Sequence, residues 1–196
     1  KHIGVDGPLA GRLFMNSVLP MSLPISLTGN GMKVGEAEFA FRMADDLAPR
    51  GKPYHVDEVL ANVGALYPAI ELPDSRFLNF AKMGGPSLIA DNACAHEFVL
   101  GDEVKSDWRS LDLSQHRLSV RCDDKANCEG IGANVFGDPR IALTWIANEL
   151  NTYGLMLRAG ETITTGTCVV PFALEAGKNY TADFGVLGVV SVSFKE

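Results

Sequence analysis

The feature that most constrains this chain is a ten-residue alternation, Val34-Gly-Glu-Ala-Glu-Phe-Ala-Phe-Arg-Met43. Successive side chains of a strand point to opposite faces, so Ala37, Phe39, Phe41 and Met43 form one face, and Glu36, Glu38, Ala40 and Arg42 the other. The first face belongs in a core. The second holds Glu36 and Glu38 on one side with Cα atoms about 6.6–6.8 Å apart, close enough for both carboxylates to converge on one ion. Without a cation, neighbouring carboxylates repel and at least one is protonated near neutral pH, whereas a divalent metal makes their juxtaposition favourable. Ligation by carboxylate and water oxygens favours Mg²⁺ or Mn²⁺ over zinc. Alternating glutamates on a solvated strand are the simpler reading of the spacing alone, and a third acidic group separates the two readings. Glu71 and Asp74, both near the end of a strand expected over Ala65 to Leu72, are the candidates.

Around this strand the chain reads as many strands and few helices. Gly, Pro and short apolar runs in the opening third predict short strands and loops. His55 to Leu66 has helical spacing in Val56, Val59, Leu60 and Val63, ending at Gly64. The strongest helix follows Gly137, with Asp138 as N-cap, Pro139 in the first turn, and an apolar stripe of Ile141, Leu143, Trp145, Ile146 and Leu150 before Gly154. Glu161 to Thr167 and Tyr180 to Phe194 are β-rich. The expected class is α+β and mainly β: a rolled, mixed β-sheet or barrel with a few helices packed outside.

With 196 residues and 46% hydrophobic positions, the chain can build one full core, so a single domain over 1–196 is expected. A net charge of −7 without a basic run gives a nucleic-acid backbone no footprint. The longest apolar stretch, Phe184 to Phe194, falls short of the ~20 residues of a membrane-spanning helix, so no membrane partner is expected. Cys94, Cys122, Cys128 and Cys168 read as reduced thiols of a cytoplasmic protein; a small Cys122–Cys128 disulfide or a metal site at that pair ranks below two free thiols.

Five blocks in order carry a resemblance over essentially the whole length. They are Gly4-Val-Asp-Gly-Pro-Leu-Ala-Gly-Arg-Leu-Phe14; Val34-Gly-Glu-Ala-Glu-Phe-Ala-Phe41; Pro68-Ala-Ile-Glu-Leu-Pro-Asp-Ser-Arg76; Ala90-Asp-Asn-Ala93 with Val99-Leu-Gly101; and Gly137-Asp-Pro139, Thr144 to Leu150, Leu157 to Gly160 and Thr165-Gly-Thr167. The chain resembles the 2-keto-4-pentenoate hydratases and 4-oxalocrotonate decarboxylases of the fumarylacetoacetate hydrolase superfamily. The resemblance implies that Glu36, Glu38 and Glu71 bind Mg²⁺ or Mn²⁺, with Asp74 outside the ligand set and paired with Arg76. It implies a metal-dependent lyase of the hydratase type, in which the carboxylate and 2-oxo oxygen of a small 2-oxo or 2-hydroxydienoic acid chelate a metal that stabilises an enolate-like intermediate. Asp91, Asn92 and Thr167 would hydrogen-bond the acid. A cytoplasmic homo-oligomer active in aromatic catabolism is implied as well.

Three departures bear on the chemistry. Leu9 stands where the hydratases carry an aspartate implicated in catalysis. Cys94, Ala95 and His96 follow the Ala90–Ala93 block, where serines are usual. The family's active-site lysine lies upstream of Lys1, and because the first residues carry neither an initiator methionine nor a signal peptide, an N-terminal segment is expected to be missing. His96 is the candidate replacement base, since an unperturbed imidazole titrates near ~6.5, although a plain loop histidine is an equal reading. Cys94 reads as a small buried thiol rather than a nucleophile. Decarboxylation or C–C bond hydrolysis on the same scaffold is the alternative reaction, and a noncatalytic binding protein built on the fold is the alternative of another class.

Overall fold

The alternating segment forms the central strand of a large sheet. In the computed structural model, which describes residue 5 and residues 7–196, β2 spans Val34–Met43 and from Glu36 to Met43 pairs with β3 (Val63–Leu72) in antiparallel register. His2, and Gly4 and Asp6 of the first sequence block, lie outside the described residues. The other strands are β1 (Val18–Leu19), β4 (Glu97–Leu100), β5 (Arg117–Cys122), β6 (Lys125–Ile131), β7 (Thr162–Thr167), β8 (Phe172–Ala173), β9 (Asn179–Asp183) and β10 (Val189–Ser193). The large sheet runs β1-β4-β3-β2-β7, with β8 also on β2; among the described residues its β1–β4 pair is parallel and its other pairs are antiparallel. A second sheet, β10-β9-β5-β6, is antiparallel throughout. The sheet is therefore mixed, as expected, but among the described residues the two sheets pack face to face and do not close into a barrel.

The core between them follows from the alternation. Phe39, Phe41, Ile70 and Leu72 of the large sheet join Val120, Tyr180, Val190 and Val192 of the small one in one buried cluster, and Phe39 meets Phe184 edge-on with ring centroids 5.2 Å apart. Aromatic pairs prefer this geometry because a positive ring edge meets a negative face. Trp108 packs in the same way on Phe41.

Among the described residues three α-helices pack outside: α1 (Val56–Ala61), α2 (Gly85–Ala90) and α3 (Pro139–Thr152). Helix α1 stops earlier than its spacing predicts, because Asn62 caps it through a bond to the Glu58 carbonyl and β-branched Val63 already belongs to β3. The start of α3 is as expected: the Asp138 carboxylate accepts the Arg140 N–H at 2.8 Å, and Pro139 follows the cap. Its buried residues are Pro139, Ala142, Leu143, Thr144 and Ala147, and Ile146 and Leu150 pack partly buried against the core, so the expected apolar stripe holds except at Ile141, which is turned to solvent. The β-rich Tyr180–Phe194 segment forms, as expected, the closing strands β9 and β10, joined by a turn at Gly185–Leu187. All four cysteines are free thiols. No helix among the described residues is long and apolar enough to cross a membrane.

Candidate metal centre

Pairing between β2 and β3 sets Glu36 directly opposite Glu71 and Glu38 opposite Ala69. Directly paired residues share a sheet face, so the three glutamates rise together from the side away from the aromatic core. One carboxylate oxygen of each lies within 4.8 Å of the others. Of the two candidates for a third acid, Glu71 is the one that joins the cluster.

The register that brings them together is pinned at its open end. Asn30 donates to the Pro73 carbonyl at 3.1 Å, and Asp74 Oδ1 accepts the N–H groups of Gly31 and Met32 at 2.8 and 3.2 Å. These bonds tie the entry of β2 to the exit of β3. Asp74 therefore works on the backbone, and the pairing expected between Asp74 and Arg76 is not formed: the Arg76 guanidinium bonds Asp91 instead.

Glu38 is wholly buried, at 0% exposure. Its Oε2 accepts the Thr164 hydroxyl and, at 2.9 Å, the Gly166 N–H, while its Oε1 has no N–H or hydroxyl partner among the described residues, leaving only the neighbouring Glu36 and Glu71 carboxyls. A bulge makes this possible. Ala40 pairs with Thr164 but Glu38 pairs with Thr167, so an extra residue of β7 lies between, and Gly166 takes a φ of +100° that a side chain would resist. Neither Thr164 nor Gly166 was singled out in this role by the sequence.

Burial raises the carboxyl of Glu36 to about 8, with the Glu38 charge adding to it. Glu71 is pushed well above the usual carboxylate range by burial and by the charges of Glu38 and Glu36. Burial also raises Glu38, against the lowering effect of its bonds from Thr164 and Gly166. A desolvated oxygen without a donor, in a set of three converging carboxylates, fits a hard divalent cation: such an ion would satisfy the orphan oxygen and turn repulsion into attraction. Glu36, Glu38 and Glu71 could hold it.

Other expected site residues are placed nearby with their hydrogen bonds already engaged. The Asp91 carboxylate accepts the Ser75 hydroxyl at 2.5 Å and the Arg76 N–H, which outweigh its burial and hold its pKa low. The Asn92 side chain clasps the backbone of Arg12, accepting its N–H and donating to its carbonyl, both at 2.8 Å. Thr167 donates to the Val169 carbonyl at 2.9 Å. Asn92, Ala93 and Cys94 all have positive φ, a left-handed turn that β4 follows after Ala95 and His96. The Cys94 thiol is buried and its pKa raised, chiefly by that burial, with Asp91, Glu71 and Glu36 adding to it, so it stays protonated rather than becoming a thiolate. His96 is exposed and makes no hydrogen bond among the described residues.

No family model matches the chain. A 2-keto-4-pentenoate hydratase of Paraburkholderia phymatum is 32% identical over 196 residues, covering 100% of this chain and 73% of that protein. The chain belongs to the family of 2-keto-4-pentenoate hydratases and 4-oxalocrotonate decarboxylases. A solved 4-oxalocrotonate decarboxylase of Pseudomonas putida G7, complexed with magnesium and adipate, superposes on this family member with a TM-score of 0.86 at 27% identity, over 98% of this chain and 72% of that one. A fumarylacetoacetate hydrolase family protein of Yersinia pestis CO92, at 15% identity, covers 91% of this chain and 77% of its own with a TM-score of 0.64, a likeness of fold. In this member of the family, the departures at Leu9 and Cys94 leave the three glutamates intact.

Proposed function

We propose that this chain is a divalent-metal-dependent lyase of the hydratase type, acting on a small 2-oxo or 2-hydroxydienoic acid with Mg²⁺ or Mn²⁺ held by Glu36, Glu38 and Glu71. The observation that carries the proposal is the wholly buried Glu38, clustered with Glu36 and Glu71, one oxygen fixed by Thr164 and Gly166 and the other without an N–H or hydroxyl donor among the described residues. When bound, the cation supplies Lewis-acid polarisation of the acid's carboxylate and 2-oxo oxygens. The protein's own contribution is a rigid cradle. Asn30 and Asp74 hold the strand register, and the buried sheet beneath fixes the carboxylates before any ligand arrives.

Asp91 and Asn92 shape the turn beside the triad rather than offering free donors, and Thr167 can reach a ligand only by giving up its bond to Val169. His96, exposed at the start of β4, is the proton-transfer group of this proposal. The cytoplasmic homo-oligomer implied by the family resemblance belongs to the same reading. Decarboxylation is the second reading, favoured by the likeness to the magnesium- and adipate-bound decarboxylase. The test is turnover of 2-hydroxypenta-2,4-dienoate and of 4-oxalocrotonate, with and without Mg²⁺, by the wild type and Glu38→Ala. Metal-dependent loss of the dienoate without CO₂ release supports hydration, and CO₂ release from oxalocrotonate supports the second reading. Failure on both substrates with metal present would count against an enzyme.

A further inference from the structure

We propose that Thr164 is a positioning residue for the metal: it selects which oxygen of Glu38 faces the ion, and so sets the affinity of the site. The inference rests on the reading of Glu36, Glu38 and Glu71 as the metal ligands, and goes beyond it to a residue on a third strand.

A carboxylate rotating about its terminal torsion can present either oxygen, and a wholly buried one has no water to hold it in place. Glu38 is 0% exposed, and its two oxygens are in different situations. Oε2 accepts from the Thr164 hydroxyl and the Gly166 N–H, and Oε1 accepts from no N–H or hydroxyl among the described residues. The two donors come from the bulge of β7, where Thr164 pairs with Ala40 and Gly166, at φ +100°, lifts its N–H out of the ladder and toward the carboxylate. The Gly166 N–H alone is a single bond about which the carboxylate can pivot. The Thr164 hydroxyl makes a second, and two donors on one oxygen fix the plane of the group and leave Oε1 as its free oxygen within the three-carboxylate cluster. Hydrogen bonds from such outer groups orient ligands, and their loss weakens metal affinity by about 10- to 100-fold.

The hydroxyl, not the shape of the side chain, carries this role. Valine has the same branching and suits a strand equally, so Thr164→Val removes the donor with little steric change. Thr164→Ser keeps the donor and loses a methyl. Thr162→Val, on the same strand and facing Arg42, is a control that touches neither the triad nor its donors.

The experiment is calorimetric titration of Mn²⁺ into the wild type and these three variants, with far-UV circular dichroism to establish that each is folded. The expected result is an affinity about 10- to 100-fold weaker for Thr164→Val, and within about threefold of wild type for Thr164→Ser and Thr162→Val. Should Thr164→Val not fold, Thr164→Ala takes its place with the same expectation. Equal affinity for Thr164→Val and the wild type would overturn the positioning role and leave the metal reading standing. A wild type that binds no Mn²⁺ would overturn both. Equal weakening in the serine and valine variants would show that packing, not the hydroxyl, is at work, and would also overturn the proposal.

Discussion

Glu36 and Glu71 face each other directly across the antiparallel β2–β3 pair. Like charges at such a position destabilise a sheet by roughly 0.2–1 kcal/mol, and here burial, with the neighbouring charges, raises both carboxyls above the usual carboxylate range. A pairing unfavourable to the fold alone becomes favourable once a cation lies between the carboxylates, which is the arrangement the proposed metal site requires.

Glu71→Gln should therefore separate stability from function. In metal-free protein at pH 8, the variant is expected to melt higher than the wild type by a few degrees, since about 1 kcal/mol shifts Tm by about 2–4 °C in a domain of this size. Added Mg²⁺ or Mn²⁺ should raise the Tm of the wild type and leave that of Glu71→Gln nearly unchanged. Thermal melts of both proteins, with chelator and with metal, check this.

The metal-free protein should lose stability as pH rises. Glu36 goes from an ordinary value of 4.5 to about 8 in the folded state, so between these values the folded chain binds more protons than the unfolded one. Stability from this group is complete below about 4.5 and is lost as pH rises through about 8. Metal binding must displace the same protons, so affinity should increase over that range, with proton uptake by the buffer at pH 7. Denaturant melts from pH 5 to 8.5, with and without Mn²⁺, should show the two curves diverging as pH rises; parallel curves would remove the electrostatic account.

Gly11→Ala should loosen the leading segment. A Cβ at Gly11 would stand 2.2 Å from the Asn92 carbonyl oxygen, and Asn92 holds the neighbouring Arg12 backbone on both sides. Overpacking of this kind costs typically about 1–3 kcal/mol, here expressed locally as release of residues 7–14 from the left-handed turn. Limited proteolysis or hydrogen exchange in that segment reports it, with the sheet core expected to stay protected.

Phe39→Ala should be severe and should not act through the metal. Phe39 is buried between the sheets against Phe184 and His116, on the face away from the glutamates. A loss of about 3–5 kcal/mol is expected from its cavity, read by urea unfolding.

The alternation of β2 was legible because a period of two survives in any context: it gave the strand, its core face and the two glutamates. The third was not decided by spacing. Whether Glu71 or Asp74 meets Glu36 depends on register, and register is set here by Asn30 and Asp74 bonds between segments some forty residues apart. Family resemblance, not periodicity, pointed to Glu71. The Thr165–Thr167 turn was visible, yet the hydroxyl that reaches Glu38 is that of Thr164, because a bulge shifts which residues of β7 share the glutamate face. Val63 was read as helix because an apolar residue at that spacing fits either element, and its branching and the Asn62 cap resolve it toward the strand. The roles of Asp91 and Asn92 were invisible for the same reason as the register: their partners, Ser75, Arg76 and Arg12, are distant in sequence.

The most direct test of the central claim is Mn²⁺ binding followed by the loss of the free-ion electron paramagnetic resonance signal, in the wild type and in Glu38→Ala. The account expects saturable uptake by the wild type at the Glu36–Glu38–Glu71 cluster and its loss in the variant, with the variant still folded. No uptake by the wild type, or uptake of equal affinity by Glu38→Ala, would contradict it.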